Sequence, residues 1–262
     1  MARSDRSAYI GPMDLNAPAI VCAVLPHGEY GAVVRFLTAP HGLMAGYVPG
    51  GRSRRLRPVL QPGNGVEVRL RARTETQLAG AAVELTRART GLAGERMAAA
   101  TLEWLTSLTA TALSEGVAQP RLYAALDGLL DAMMFGAAPR RWLADVIRYE
   151  LLLLAELGFG LDLATCAATG AAAADADLAY VSPRSSQGVG RVAGAPYAPR
   201  LLPLPRLMLD GLPAGPGDLA EGMRTTGYFL ERDILTGQAA TLLPARERLV
   251  AIVTLYEGAP DG

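Results

Sequence analysis

Residues 28–61 read GEYGAVVRFLTAPHGLMAGYVPGGRSRRLRPVLQ. Two apolar, β-branched runs, Ala32–Thr38 and Leu43–Val48, are separated by the turn cluster Ala39-Pro40-His41-Gly42. Such runs bounded by Gly and Pro predict two strands of a hairpin. A Gly-Gly step then opens a Pro-flanked loop, Pro49–Pro62, carrying Arg52, Arg54, Arg55 and Arg57.

Outward from this stretch the period of two continues. Pro18–Leu25 predicts a strand before it, and residues 1–17 read as a loose arm. Val66–Arg73 alternates cleanly, with Val66, Val68, Leu70 and Ala72 on one side and Glu67, Arg69, Arg71 and Arg73 on the other. That pattern predicts one buried and one solvated face. Gln77–Leu85 supplies a fifth strand. Five short strands in a small domain predict a closed barrel of the OB-fold type over residues 1–90.

From Gly94 the period changes to helical. Glu95–Glu115 carries Leu102, Leu105, Leu108 and Leu113, and Arg121–Phe135 carries Leu122, Leu126, Leu129, Leu130 and Met133. A third helix opens at Pro139 and ends near Gly158, apolar around most of its circumference, as in a bundle core. Residues 163–217 hold seven of the eighteen prolines and read as an irregular extension, with a small hairpin in DLAYVSPRSSQGVG. Helical spacing resumes over 218–237 and 244–257. The fold class is therefore α+β, with a helical domain over 91–262.

The net formal charge is zero, but residues 1–90 hold twelve arginines against six acids and the rest thirteen against nineteen. A basic front half suits a polyanion. Arg52, Arg54, Arg55 and Arg57 on the loop, Arg69, Arg71 and Arg73 on one strand face and Arg35 on the second strand read as one patch tracking a nucleic-acid backbone. Tyr30 and Tyr47 read as packing residues, so base-specific readout is not expected.

Catalytic signatures are missing from the sequence. There is no nucleophile elbow, phosphate-binding loop, HExxH or dinucleotide fingerprint. His27 and His41 stand in turns beside Pro, without acidic neighbours in a ligand pattern. Cys22 and Cys166 suit neither a disulfide framework nor a zinc site and read as reduced, inert, buried thiols. Residues 1–18 do not read as a signal peptide, and no apolar run reaches spanning length. These readings predict a cytoplasmic, non-enzymatic protein without cofactor or metal. In the back half Arg141, Asp145 and Arg148 share one helix face. Local ion pairing is one reading, and an arginine pair holding an acidic, apolar peptide tail is another. For the front half, DNA binding and an RNA-binding module with a helical adaptor both remain open.

Several motifs together resemble the RecO family of bacterial recombination mediators. They are Glu29 in the first turn, Phe36 to Thr38, Gly42, the Gly50 to Arg57 loop and Leu60-Gln61-Pro62. In the back half they are RYELLLLAELGFGLDL from Arg148 and LPARERL around Pro244. The resemblance spans nearly the whole chain in order. It implies an N-terminal OB-fold joined to a helical domain. It further implies binding of single- and double-stranded DNA, strand annealing, and loading of RecA together with RecR on DNA coated by single-strand binding protein. The helical domain is expected to receive that protein's C-terminal tail, with Arg148 at the matching position and Arg141 added from its spacing. Some members carry a zinc-binding cysteine cluster after the bundle helix. Here Cys166 alone stands at its start, so Ala167–Leu204 is expected to do without metal.

Overall fold

A computed structural model of the chain describes residues 13–74, 77–209, 211 and 215–258. It divides into two compact units. The first runs to Thr90 and takes in Leu113–Tyr123; the second comprises Gly91–Ala112 and Ala124–Gly262. The chain therefore passes between them three times.

The first unit is a closed barrel of five strands, β1 (Met13–His27), β2 (Gly31–Thr38), β3 (Gly42–Val48), β4 (Gly65–Ala72) and β5 (Ala79–Arg87), in the order β1-β2-β3-β5-β4. This is the OB-type architecture expected from the strand count. β1 is long because it serves two neighbours. Its first half pairs with β4, from Met13↔Ala72 to Ile20↔Gly65, and its second half pairs with β2, from Ala19↔Thr38 to His27↔Gly31. A register shift between Val21 and Ala23 marks the bulge where it bends from one neighbour to the other.

The loose arm of the sequence reading is corrected here. Residues 13–17 belong to β1, with Leu15 and Ala17 in the core and Asp14 and Asn16 outside. Two small apolar residues give a weak signal, and the partner that fixes them lies more than fifty positions away. Residues 1–12 lie outside the described residues.

The barrel interior is built from alternate positions, among them Val34 and Phe36 of β2 and Val66, Val68 and Leu70 of β4. Closure comes from a short parallel pairing of β3 with β5 at Gly46↔Ala79 and Tyr47↔Gly80. A Cβ on Gly46 would stand 2.6 Å from Leu70 Cδ2 and 2.8 Å from Ala81 Cβ, so only glycine lets these strands close. The connection Leu113–Tyr123 packs within this unit. Gly116 N–H donates to Leu43 O, and Glu115 bonds Arg35.

Helices α1 (Arg96–Ala112), α2 (Pro120–Met134) and α3 (Pro139–Glu156) follow the predicted spans and belong to the second unit, save the first turn of α2 up to Tyr123. α3 is buried at Trp142, Leu143, Val146, Ile147, Leu153 and Leu154, as its apolar circumference requires. The extension is more regular than its composition suggests. It forms α4 (Ala173–Ala176), β6 (Leu178–Val181), β7 (Gly188–Gly190), α5 (Arg191–Gly194) and β8 (Leu202–Pro203), with a three-stranded sheet in the order β7-β6-β8. The β6–β7 pair is the hairpin expected in that stretch. Arg232 holds its turn by donating to Pro183 O and Ser186 Oγ. α6 (Asp218–Asp233) and α7 (Leu243–Gly258) complete the unit.

A buried polar network joins four of these helices. Glu150 of α3, 1 % exposed as a side chain, accepts from Trp104 Nε1 of α1 at 2.8 Å, Thr226 Oγ1 of α6 and Arg246 Nη2 of α7 at 3.3 Å. Arg246 also donates to Met223 O at 2.7 Å. Gly227 makes room for this guanidinium, since a Cβ there would lie 2.4 Å from Nη1. Replacing Glu150 with Ala leaves Arg246 buried without its carboxylate. The expected loss is about 3–5 kcal/mol, read from urea unfolding of the full chain. A loss below about 1 kcal/mol would show that the network does not hold the helices together.

Candidate nucleic-acid interface

The loop between β3 and β4 is held by specific bonds rather than left loose. Its backbone coils, with Arg57 N–H donating to Ser53 O and Leu60 N–H to Leu56 O. The Ser53 hydroxyl accepts from Leu56 N–H, as a capping serine does. Leu60 is buried and anchors the coil in the barrel core. Arg52 ties the other side to the β1–β2 turn, its N–H donating to Tyr30 O and its Nη1 to Glu29 O at 3.1 Å and Gly28 O at 3.4 Å.

Asn64 closes the loop. It is fully buried. Its Nδ2 donates to Pro58 O at 2.9 Å and Val59 O at 3.1 Å, and its Oδ1 accepts from Arg89 N–H at 2.8 Å. Arg89, also buried, donates through Nη1 to Gly63 O at 3.0 Å. The sequence reading missed both residues. Gly63-Asn64-Gly65 signals a turn, but nothing in it shows that the amide points inward.

Arg54, Arg55 and Arg57 are exposed on this coil. Residues 49–64 contain no acidic residue, and among the described residues no carboxylate pairs with Arg52, Arg54, Arg55 or Arg57. Four guanidinium groups thus stand on a locally uncompensated surface, whose chemistry suits phosphate-rich polymers.

The strand arginines behave differently. Arg69 and Arg71 do lie exposed on the outer face of β4, and Arg73 is exposed just past its end. Arg69 bonds both oxygens of Asp14 at 3.1 Å, and Arg71 Nε reaches Asp14 Oδ2 at 3.1 Å. The Asp14 carboxyl is accordingly held below its ordinary value of 3.8, first by its hydrogen bond from Arg69. Its share of stability is present above that value and is lost as pH falls through the lowered one. Glu67 and Glu84 face each other across β4 and β5 and add carboxylates to the same surface. Arg35 is likewise paired, with Glu115 at 3.1 Å.

The register also separates the two groups. Arg71 pairs with Asp14 at the start of β1, whereas Arg52 bonds the turn beyond its end. The arginines expected from the sequence to act as one patch thus differ in pairing: an uncompensated loop, and a strand face on which Arg69 and Arg71 share Asp14.

Tyr30 corrects another expectation. It is 74 % exposed rather than packed, because it sits on the turn itself. Tyr47 is half-buried, edge-on to His27 at 5.7 Å between ring centroids. His27 and His41 are exposed at or beside turns, as expected. Cys22 is buried and its thiol pushed up to about 12 by burial. Cys166 is buried too, but hydrogen bonds from the Thr169 side chain and Gly190 N–H draw it down to about 7. Neither a second thiol nor a histidine stands beside it. Among the described residues no group of three or more His, Cys, Asp and Glu is placed to hold a metal ion.

In the helical unit Arg141 is exposed, while Arg148 is engaged locally, donating to Asp145 Oδ1 and at 2.7 Å to Gly211 O. The local ion pair of the sequence reading is present. No described helix is long and apolar enough to cross a membrane.

Comparison with known proteins gives two family matches. Residues 13–88 match the family described as Recombination protein O N terminal, and residues 93–238 match Recombination protein O C terminal. Relatives named DNA repair protein RecO are similar over most of their length. The Rhodospirillum rubrum protein is 44% identical over 236 residues, 88% of this chain and 92% of its own. That of Paracoccus denitrificans is 44% identical over 243 residues, 92% and 97% respectively. That of Caulobacter vibrioides is 43% identical over 238 residues, 89% and 95%.

Two substitutions test this surface. Asn64→Ala leaves the Arg89 N–H and two carbonyls without their partner. It is expected to cost about 1–3 kcal/mol in urea unfolding and to weaken binding of an oligonucleotide although no charge changes. Asp14→Asn releases Arg69 and Arg71. Tighter binding and a steeper salt dependence in fluorescence anisotropy are expected if the β4 face touches the polyanion, and no change if the loop acts alone.

Proposed function

Since this chain belongs to the RecO family of DNA repair and recombination proteins, we propose that it is a non-enzymatic mediator that binds DNA through the β3–β4 loop. The observation that carries this reading is the set of four loop arginines with no acidic residue within the loop and, among the described residues, no carboxylate paired with any of them. Each guanidinium that meets a phosphate releases condensed counterions, so affinity comes from charge and not from base order. Single and double strands both present that backbone. Two complementary strands held on one cationic surface lose much of their mutual repulsion, and annealing then needs no catalytic residue.

The relatives' names favour DNA over RNA as the polymer. The helical unit supplies the protein partners. In this reading Arg141 and Arg148 receive the acidic C-terminal tail of single-strand binding protein, RecR joins the complex, and RecA is loaded as a consequence. Arg148 must then exchange its bond to Asp145 for one to the tail. The place of work is the cytoplasm, at the nucleoid.

Alanine at Arg52, Arg54, Arg55 and Arg57 together is expected to weaken binding of single-stranded DNA. It should also reduce the slope of log affinity against log salt by roughly 2 to 3, at about 0.7 per lost phosphate contact. Anisotropy titrations across a salt series measure both. Unchanged affinity and slope would remove the loop from the interface.

A further inference from the structure

We propose that the cleft beside Arg52 is a pocket for one unstacked nucleobase, so that the loop prefers single strands carrying bases without reading which base they carry. This rests on the reading of the loop as a DNA-binding surface and adds a second contact to it. The cleft has a volume of about 500 Å³ and is lined by Val24, Gly51, Arg52, Arg57, Leu60, Gln61 and Pro62.

Its chemistry is divided. Val24, Leu60 and Pro62 give an apolar wall that suits the flat face of a base. Arg52 and Arg57 stand at the same cleft as cations. The Arg52 guanidinium is fixed in place by the carbonyls of Gly28 and Glu29, so it offers an oriented plane rather than a mobile charge. Gln61 Nε2 is committed to Arg57 O at 2.9 Å, which fixes the amide and leaves its oxygen as an acceptor. Leu25 and Tyr30 are 54 % and 74 % exposed at the adjoining strand end and turn.

Charge decides the occupant. A free apolar ligand gains nothing from four uncompensated arginines, and an acidic peptide has no use for a flat apolar slot beside them. A nucleotide matches both, its phosphates on Arg54 and Arg55 and its base in the cleft. Base-on-apolar and base-on-guanidinium stacking tolerate every base. A duplex enters such a pocket only by unpairing and extruding a base, at a cost of a few kcal/mol.

The experiment compares an oligo-dT strand with an abasic strand of the same length, in the full chain and in Gln61→Trp, which fills the cleft without changing charge. Wild-type protein is expected to bind oligo-dT at least about fivefold more tightly, the lower end of what one stacked base contributes. Gln61→Trp is expected to lose that preference while keeping abasic-strand affinity and its salt slope. Equal wild-type affinities, both salt-dependent, overturn the pocket and leave the charge-based reading standing; binding of neither strand sinks both. A preference that survives in a folded Gln61→Trp also overturns the pocket. If that variant does not fold, wild-type protein decides with a single 2-aminopurine in an otherwise abasic strand. Acrylamide quenching that falls on binding supports the pocket, and undiminished quenching overturns it.

Discussion

Four like charges within six residues repel one another, and a loop that carries them stays together only if something else holds it. Here the buried amide of Asn64 supplies that hold, with the Leu60 side chain in the barrel core and the Arg52 bonds to the β1–β2 turn. The bonds of Asn64 to Pro58, Val59 and Arg89 are made out of contact with water, where leaving them unmade is costly. The arginines are therefore positioned by residues that carry no net charge or that face inward. Their own charges stay available to a partner.

Arginine is used in three ways in this chain, and surroundings rather than sequence separate them. Arg246 is buried against Glu150 and Trp104. A pair of that kind adds little net stability but penalises any packing that parts its members, so it fixes how α1, α3, α6 and α7 meet. Arg35, Arg69 and Arg71 are paired at the surface, where such bonds contribute little and salt weakens them. The loop arginines are left uncompensated. A count of basic residues cannot distinguish these classes, which is why the front half looks uniformly cationic on paper.

Much of the architecture was legible. The alternation in Val66–Ala72 and the leucine spacing from Leu102 to Met133 follow from backbone geometry alone, and so their elements lie where the periods put them. What escaped was tertiary. Met13–Ala17 becomes strand because β4 lies beside it, and nothing local marks it. Asp14 pairs with Arg69 and Arg71 across fifty-five and fifty-seven positions. Tyr30 looked like a packing residue because tyrosines usually are, but it lies on a turn with nothing over it. Cys166 was read as inert because it is isolated in sequence, whereas backbone and hydroxyl donors converge on its sulfur in the folded chain.

The return of Leu113–Tyr123 to the barrel's unit has a consequence for the order of assembly. The strand residues are all present by Arg87, yet the Glu115 carboxylate for Arg35 and the Gly116 amide for Leu43 come later. As the polypeptide leaves the ribosome, the barrel acquires its last layer only after α1 has emerged. No single scission of the chain separates the two units intact. Their maturation is interleaved, and the barrel completes itself while the helical part is still being made.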